Sequence, residues 1–195
     1  MSQPQHKGGR PRDQRLDDAL IRAASEVFLE SGFQRASLSA VARRAGVFTP
    51  ALYRRWPTKA AMALDVIDRE SSPDAMPDTG SIRDDLAEFL RRRLRAWSSP
   101  LFSHVLAPVV MEATIDPEVR EELHRRFLEN RQPYVEARIR KAIFAGELRS
   151  DTDPTDLLNQ LMGSIAMPLL FAQKLPDESE APRIVDHLLS GFGSS

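Results

Sequence analysis

The 195-residue sequence has no cysteine. That excludes a disulfide scaffold, thiolate ligation of zinc or of an iron–sulfur cluster, and a cysteine nucleophile. Long apolar runs are missing too. The longest, Ile165–Ala172, falls far short of the ~18 residues that cross a membrane. The opening stretch, MSQPQHKGGRPRDQR, is polar and basic and has no apolar segment of a secretory signal. The expected compartment is therefore the cytoplasm, with no membrane partner. Strand-like alternation is absent at any useful length, which points to an all-α chain. No HExxH, phosphate-binding loop, dinucleotide fingerprint on a strand or G-x-S-x-G is present, and no cofactor or metal is expected.

Net charge is also nearly absent, at -1, but its distribution is uneven. Met1–Leu64 carries 11 basic and 5 acidic residues, whereas the remainder carries 16 basic and 23 acidic ones. A basic head on an acidic body is the footprint of a chain whose N-terminal part meets a polyanion.

Helical spacing and helix punctuation divide the chain into about nine helices. Residues 1–12, with two Pro and two Gly, read as a flexible basic arm. The first helix starts near Asp13, shows Leu16, Leu20, Ala24 and Phe28 on one face, and stops at Ser31-Gly32. Ser37 caps a short helix to Ala45, and Gly46 ends it in the left-handed C′ position. Thr49-Pro50 is expected to open the next helix, with Thr as cap and Pro at its first position. Pro57 closes it at Trp56, and Thr58 caps a further helix through Ile67.

Ser71–Gly80 is rich in Pro, Ser and Asp and marks a boundary. The expected units are therefore a head at 13–70 and a helical body at 81–195. In the body, Ser81-x-x-Asp84 resembles a capping box. Helices follow to Trp97, from Pro100 to Thr114 with a kink at Pro108, and from Asp116-Pro117 toward Ile143. Pro133 should bend or interrupt that last one. Asp153-Pro154 opens a helix to Gln173 that is apolar nearly all round, and the final helix spans Ala181–Gly191.

The stretch Ser37–Trp56 is helix, sharp turn, short helix, the arrangement that presents a second helix to the DNA major groove. Leu38, Val41, Ala42, Val47 and Leu52 face inward. Thr49, Tyr53, Arg54 and Arg55 face outward, where an Arg fork matches guanine O6 and N7. Helix N-termini at Ser37 and at Thr58-Lys59 favour phosphate.

Phe28–Lys59 resembles the DNA-binding region of the TetR family of bacterial transcriptional regulators. The matching positions are Phe28, Gly32-Phe33, Ser37, Val41-Ala42, Ala45-Gly46-Val47, Leu52-Tyr53, Trp56 and Lys59. Gly146-Glu147-Leu148-Arg149 followed by Asp153-Pro154 is also similar to the stretch before the family's penultimate helix. Phe48 departs from the pattern, which usually has a small residue there; it would pack on the first helix or touch a thymine methyl.

The resemblance implies a repressor that binds a palindromic operator on double-stranded DNA as a homodimer. It further implies release by a small, apolar or amphipathic effector. Thr49, Pro50, Arg54 and Arg55 would face bases, while Ser37, Arg44, Tyr53, Thr58 and Lys59 would hold phosphates. Arg10 and Arg12 would enter the minor groove, and Trp56 would be core. Candidate pocket residues are Phe89, Leu94, Trp97, Leu106, Val110, Met111, Phe127, Tyr134, Met162 and Ile165. The last two helices would pair across the dimer through Leu158, Met162, Ile165, Leu169, Val185, Leu188, Leu189 and Phe192. Gly163, Ser164 and Ala166 would permit close approach.

Two other readings compete. A helical metal enzyme would use Glu121-x-x-His124, but di-iron bundles need a second such pair and two further Glu. This one sits in a polar run and reads as a solvated helix face. A protein-binding adaptor without operator binding would show a decayed recognition helix, which Tyr53, Arg54, Arg55 and Lys59 argue against.

Overall fold

The computed structural model describes residues 14–70, 76–126, 132–171 and 174–192. All regular elements among them are helical. Helix α1 (Gln14–Arg35) is broken near its end by Gly32, whose φ of 69° suits glycine. Then come α2 (Leu38–Ala45), α3 (Thr49–Tyr53) and α4 (Lys59–Glu70). The body contains α5 (Ile82–Trp97), α6 (Pro100–Ala113), α7 (Pro117–His124), α8 (Gln132–Phe144), α9 (Pro154–Leu170) and α10 (Ala181–Phe192).

The punctuation behaves as the residue types dictate. Ser81, Ser99, Asp116 and Asp153 accept backbone N–H groups at the starts of α5, α6, α7 and α9. Proline occupies the first turn of the last three, where its missing N–H costs nothing. Helix α6 continues through Pro108. The single helix expected from Asp116 to Ile143 is two, α7 and α8, with Pro133 in the first turn of α8. The described residues therefore hold ten α-helices, close to the nine or so expected.

The head and the body share one apolar core. Helices α1 and α4 pack on α6, and α4 also touches α7. Residues 76–80 bind down onto the body through a buried polar cluster that the sequence did not suggest. Asp85, fully buried, accepts from the backbone N–H and Oγ1 of Thr79 at 2.8 and 2.7 Å and from Arg138 Nε at 2.7 Å. Arg138 also lies 3.3 Å from Asp78, and Glu147 accepts from the N–H of Ile82 at 2.7 Å. The cluster joins residues 78–79 and the start of α5 to Arg138 of α8 and to Glu147 just beyond it.

Candidate nucleic-acid interface and effector cavity

The head is built around a tight turn. Ser37 Oγ accepts from Ala40 N–H at 3.1 Å and starts α2. Gly46, at φ 67° and ψ 29°, ends it. There the N–H groups of Gly46 and Val47 reach back to the carbonyls of Arg43 and Ala42 at 3.3 and 2.9 Å, a Schellman closure. Leu38, Val41, Ala42 and Leu52 are buried, so the turn holds α3 against α2, which itself packs on α1, and leaves the other face of α3 open.

Helix α3 begins differently from expectation. Phe48 is the N-cap residue and supplies no side-chain hydrogen bond, whereas Thr49 is already helical and Pro50 lies in the first turn. The turn after Gly46 starts the helix one residue early for Thr49 to cap it, and the Phe48 ring at the cap accepts none of the orphan N–H groups. Phe48 is 79% exposed rather than packed away. Pro50, Tyr53 and Arg54 are exposed with it. Arg54 also borders the groove between α1 and α3 that Leu16 and Leu20 line.

Two arginines expected at DNA are held by acids of α1. Arg44 makes a fork-to-fork pair with Glu30, both contacts at 2.6 Å, and lies 3.5 Å from Glu26. Hydrogen bonds from Arg44 hold the Glu30 carboxyl below its ordinary range, against the opposing effect of desolvation. Arg55 pairs with Asp17, and its guanidinium lies 5.1 Å from the Trp56 ring centre. Both arginines tie α1 to the helix-turn-helix, Arg44 at the surface and Arg55 half-buried. Asp17 and Glu30 of α1 thus hold the two arginines that the sequence assigned to DNA, and a phosphate would have to displace these carboxylates to engage them.

Lys59 and Thr58 stand at the start of α4. Thr58 Oγ1 accepts from Ala61 N–H at 3.0 Å. Lys59 Nζ donates to Gln34 O at 3.2 Å and lies 4.3 Å from the Phe33 ring centre. Trp56, 3% exposed, is core, and its Nε1–H donates to Asp65 on α4 at 2.5 Å. Arg10 and Arg12 lie outside the described residues.

Asp65 is a junction. It also pairs with Arg126, which follows α7 and reaches Asp68 at 2.9 Å and Glu122. Burial pushes the Glu122 carboxyl up, but hydrogen bonds from Arg125 and Arg126 outweigh it and leave the group below 4.5. Thus α7 is clamped to α4, and α4 to the end of the reading head.

Helix α7 also forms a wall of a cavity of about 400 Å³ inside the body. Its lining includes Phe89, Trp97, Leu106, Val110 and Met162, all candidates from the sequence, together with Leu123, Val135 and Leu158. Arg93, Arg120, His124, Gln132 and Asn159 add the polar groups, none of them a carboxylate. Leu94 and Ile165 are instead fully buried in the core, and Met111 and Tyr134 face outward at 56% and 71% exposure. Phe127 lies outside the described residues. His124 borders the cavity and is also exposed, as the reading of a solvated face expected. Among the described residues no group of three His, Asp or Glu side chains is placed to hold a metal.

The expected dimer face needs correction as well. Ile165 and Val185 are fully buried within one chain, and Leu158 lines the cavity. A helix that is apolar all round spends part of its surface on its own core. Met162, Leu169, Leu188 and Leu189 remain half-buried, while the Phe192 side chain lies outside the described residues. Sequence reasoning missed Met167, Leu170 and Phe171, exposed at 55%, 37% and 66%.

Comparison with known proteins agrees with this division of labour. Residues 20–66 match the family described as bacterial regulatory proteins, tetR family. Residues 76–188 match the tetracyclin repressor-like C-terminal domain. The chain belongs to the TetR family. It is an HTH-type transcriptional regulator, as the resemblance of the Phe28–Lys59 motif implied. An uncharacterized HTH-type regulator of Bacillus subtilis, YdeS, is 29% identical over 189 residues, covering 96% of this chain and 93% of that protein. A DNA-binding transcriptional repressor TetR of Mycobacteroides abscessus is 29% identical over 177 residues, covering 88% and 90%. Among solved structures, the TetR family transcription regulator SCO0332 aligns with a TM-score of 0.72 at 28% identity, covering 91% of this chain and 98% of that one. Among the described residues no helix is long and apolar enough to cross a membrane.

Proposed function

We propose that the protein is a repressor that binds a palindromic operator as a homodimer and lets go when a small molecule fills the body cavity. The observation that carries this reading is the clamp at Arg126, which joins a cavity wall to the helix behind the reading head. The repressor sign is supported by the relative of Mycobacteroides abscessus, which carries that role in its name.

In this reading Thr49, Pro50 and Arg54 face base edges, and the exposed Phe48 ring suits a thymine methyl. Ser37, Tyr53, Thr58 and Lys59 hold phosphates, the hydroxyls and amides at two helix starts adding to the lysine charge. Arg10 and Arg12 reach into the minor groove. One such head reads only a few base pairs, so specificity requires two on one duplex.

The second copy docks along α9. Gln160, Gly163, Met167, Leu170 and Phe171 recur at helical spacing on its open side, and a Cβ placed at Gly163 would meet nothing within 4 Å. Ser164, Ala166 and the half-buried Leu188 and Leu189 border that stripe. A ligand that prefers the conformation with wrongly spaced heads lowers DNA affinity by its differential binding energy. Because α7 lines the cavity and Arg126 ties it to Asp65 and Asp68, a displaced α7 moves α4.

Selection from a random duplex library, combined with sedimentation, tests the assembly. Recovery of an inverted repeat bound by two chains is expected, and Phe171→Glu should give monomers that lose it. Recovery of single, asymmetric sites by a monomer would overturn the reading.

A further inference from the structure

The cavity carries more chemical information than its size. We propose that its ligand is an amphipathic organic anion, an apolar body ending in a carboxylate or comparable acidic head. The inference rests on the reading of the cavity as the effector site. Its first support is Trp97, which lines the cavity and is 8% exposed. The indole Nε1–H of Trp97 is enclosed and meets no acceptor among the described residues. Buried donors are almost always partnered, and none of the described residues supplies an acceptor here.

The second support is the sign of the charge around it. Arg93, 8% exposed, lies in the same wall, its guanidinium 4.9 Å from the Phe89 ring centre. Arg120 adds a second guanidinium. It donates to the carbonyls of Ala113 and Thr114, both at 2.9 Å, which fixes its position while its positive charge stays at the cavity. His124 brings two ring nitrogens. No carboxylate lines the cavity among the described residues. A cationic head would therefore meet like charge, and an anionic head would meet donors of the right sign. The remaining wall is hydrocarbon and takes the apolar body.

Three probes with one chain and different heads test this: decanoate, 1-decanol and decylammonium, titrated calorimetrically into the full-length protein below their aggregation limits. Decanoate should bind tightest, at least about tenfold better than decylammonium, the size expected of hydrogen bonds to a charged group. Trp97→Phe, which deletes the N–H and keeps an aromatic body, should weaken decanoate more than 1-decanol. Arg93→Met should do the same while preserving the hydrocarbon stem. Decylammonium binding as well as decanoate would overturn the proposal, as would two folded variants that keep the full decanoate preference. Failure of all three probes to bind, with DNA binding intact, would overturn the ligand class and leave the regulator reading standing. Decanoate that binds selectively without releasing DNA would uphold the cavity chemistry and remove its role as effector site.

Discussion

Arg126→Met removes one guanidinium and keeps most of the hydrocarbon stem. The Arg126 side chain is 14% exposed and meets three carboxylates, those of Asp65, Asp68 and Glu122, which are themselves 35%, 32% and 22% exposed. Exposed pairs contribute up to about 1 kcal/mol. Removing one partner of a fully buried pair costs about 3–5 kcal/mol. This site lies between the two, because the orphaned carboxylates can rehydrate in part, and the expected loss is about 2 kcal/mol. For a chain of this length that lowers Tm by about 4–8 °C. The loss should also be local. Amide hydrogen exchange should speed up in α4 and α7 and stay unchanged in α9 and α10. A calorimetric Tm within about 1 °C of the parent, with unchanged exchange in α4, would refute the claim that Arg126 joins cavity and head.

Other outcomes follow from the same geometry. Arg54→Ala should cost about 1–3 kcal/mol of discrimination between operator and random duplex, and an unchanged ratio measured by competition would remove Arg54 from the reading surface. Lys59→Ala should weaken all duplexes alike and reduce the salt slope by about one; a loss confined to operator would contradict its phosphate role. Asp85→Ala leaves the buried Arg138 with Asp78 and Glu147 as its remaining carboxylates among the described residues, and should cost about 3 kcal/mol in thermal unfolding; a neutral result would mean that the cluster at the start of α5 is not what anchors residues 76–80. Glu122 has a lowered pKa in the folded protein, so its contribution is complete above 4.5 and is lost as the pH falls through the lowered value. Acid unfolding followed by circular dichroism should be shallower in Glu122→Gln, and identical acid profiles would contradict this.

How far the sequence was legible depends on the range of the interaction. Caps and stops are local, so Ser37, Gly46, Asp116-Pro117 and Asp153-Pro154 marked their helices correctly. Phe48-Thr49-Pro50 misled because a Thr-Pro pair suits a cap one residue away from where the turn after Gly46 places it. The pairing of Arg44 with Glu30 and of Arg55 with Asp17 was not legible, because nothing local shows that acids far back on α1 face them. The cavity wall was partly legible, since large apolar residues at helical spacing have to meet somewhere. Which of them touch empty space depends on how five helices pack, and so Leu94 and Ile165 fell into the core. His124 and Trp97 could be separated from ordinary surface and core only by that packing. The Asp85–Arg138 pair, 53 residues apart, left no signal in the sequence, where Asp85 resembled any first-turn acid.

The central claim is that the exposed face of α3, with the starts of α2 and α4, reads DNA. The most direct measurement is fluorescence anisotropy of the purified protein on the DNA flanking its own gene, across a salt series, with random duplex as the control. Tight, selective binding by two chains per site, weakening steeply with added salt, is expected. Binding no tighter than to random duplex, both there and on sites selected from a random library, would contradict the account.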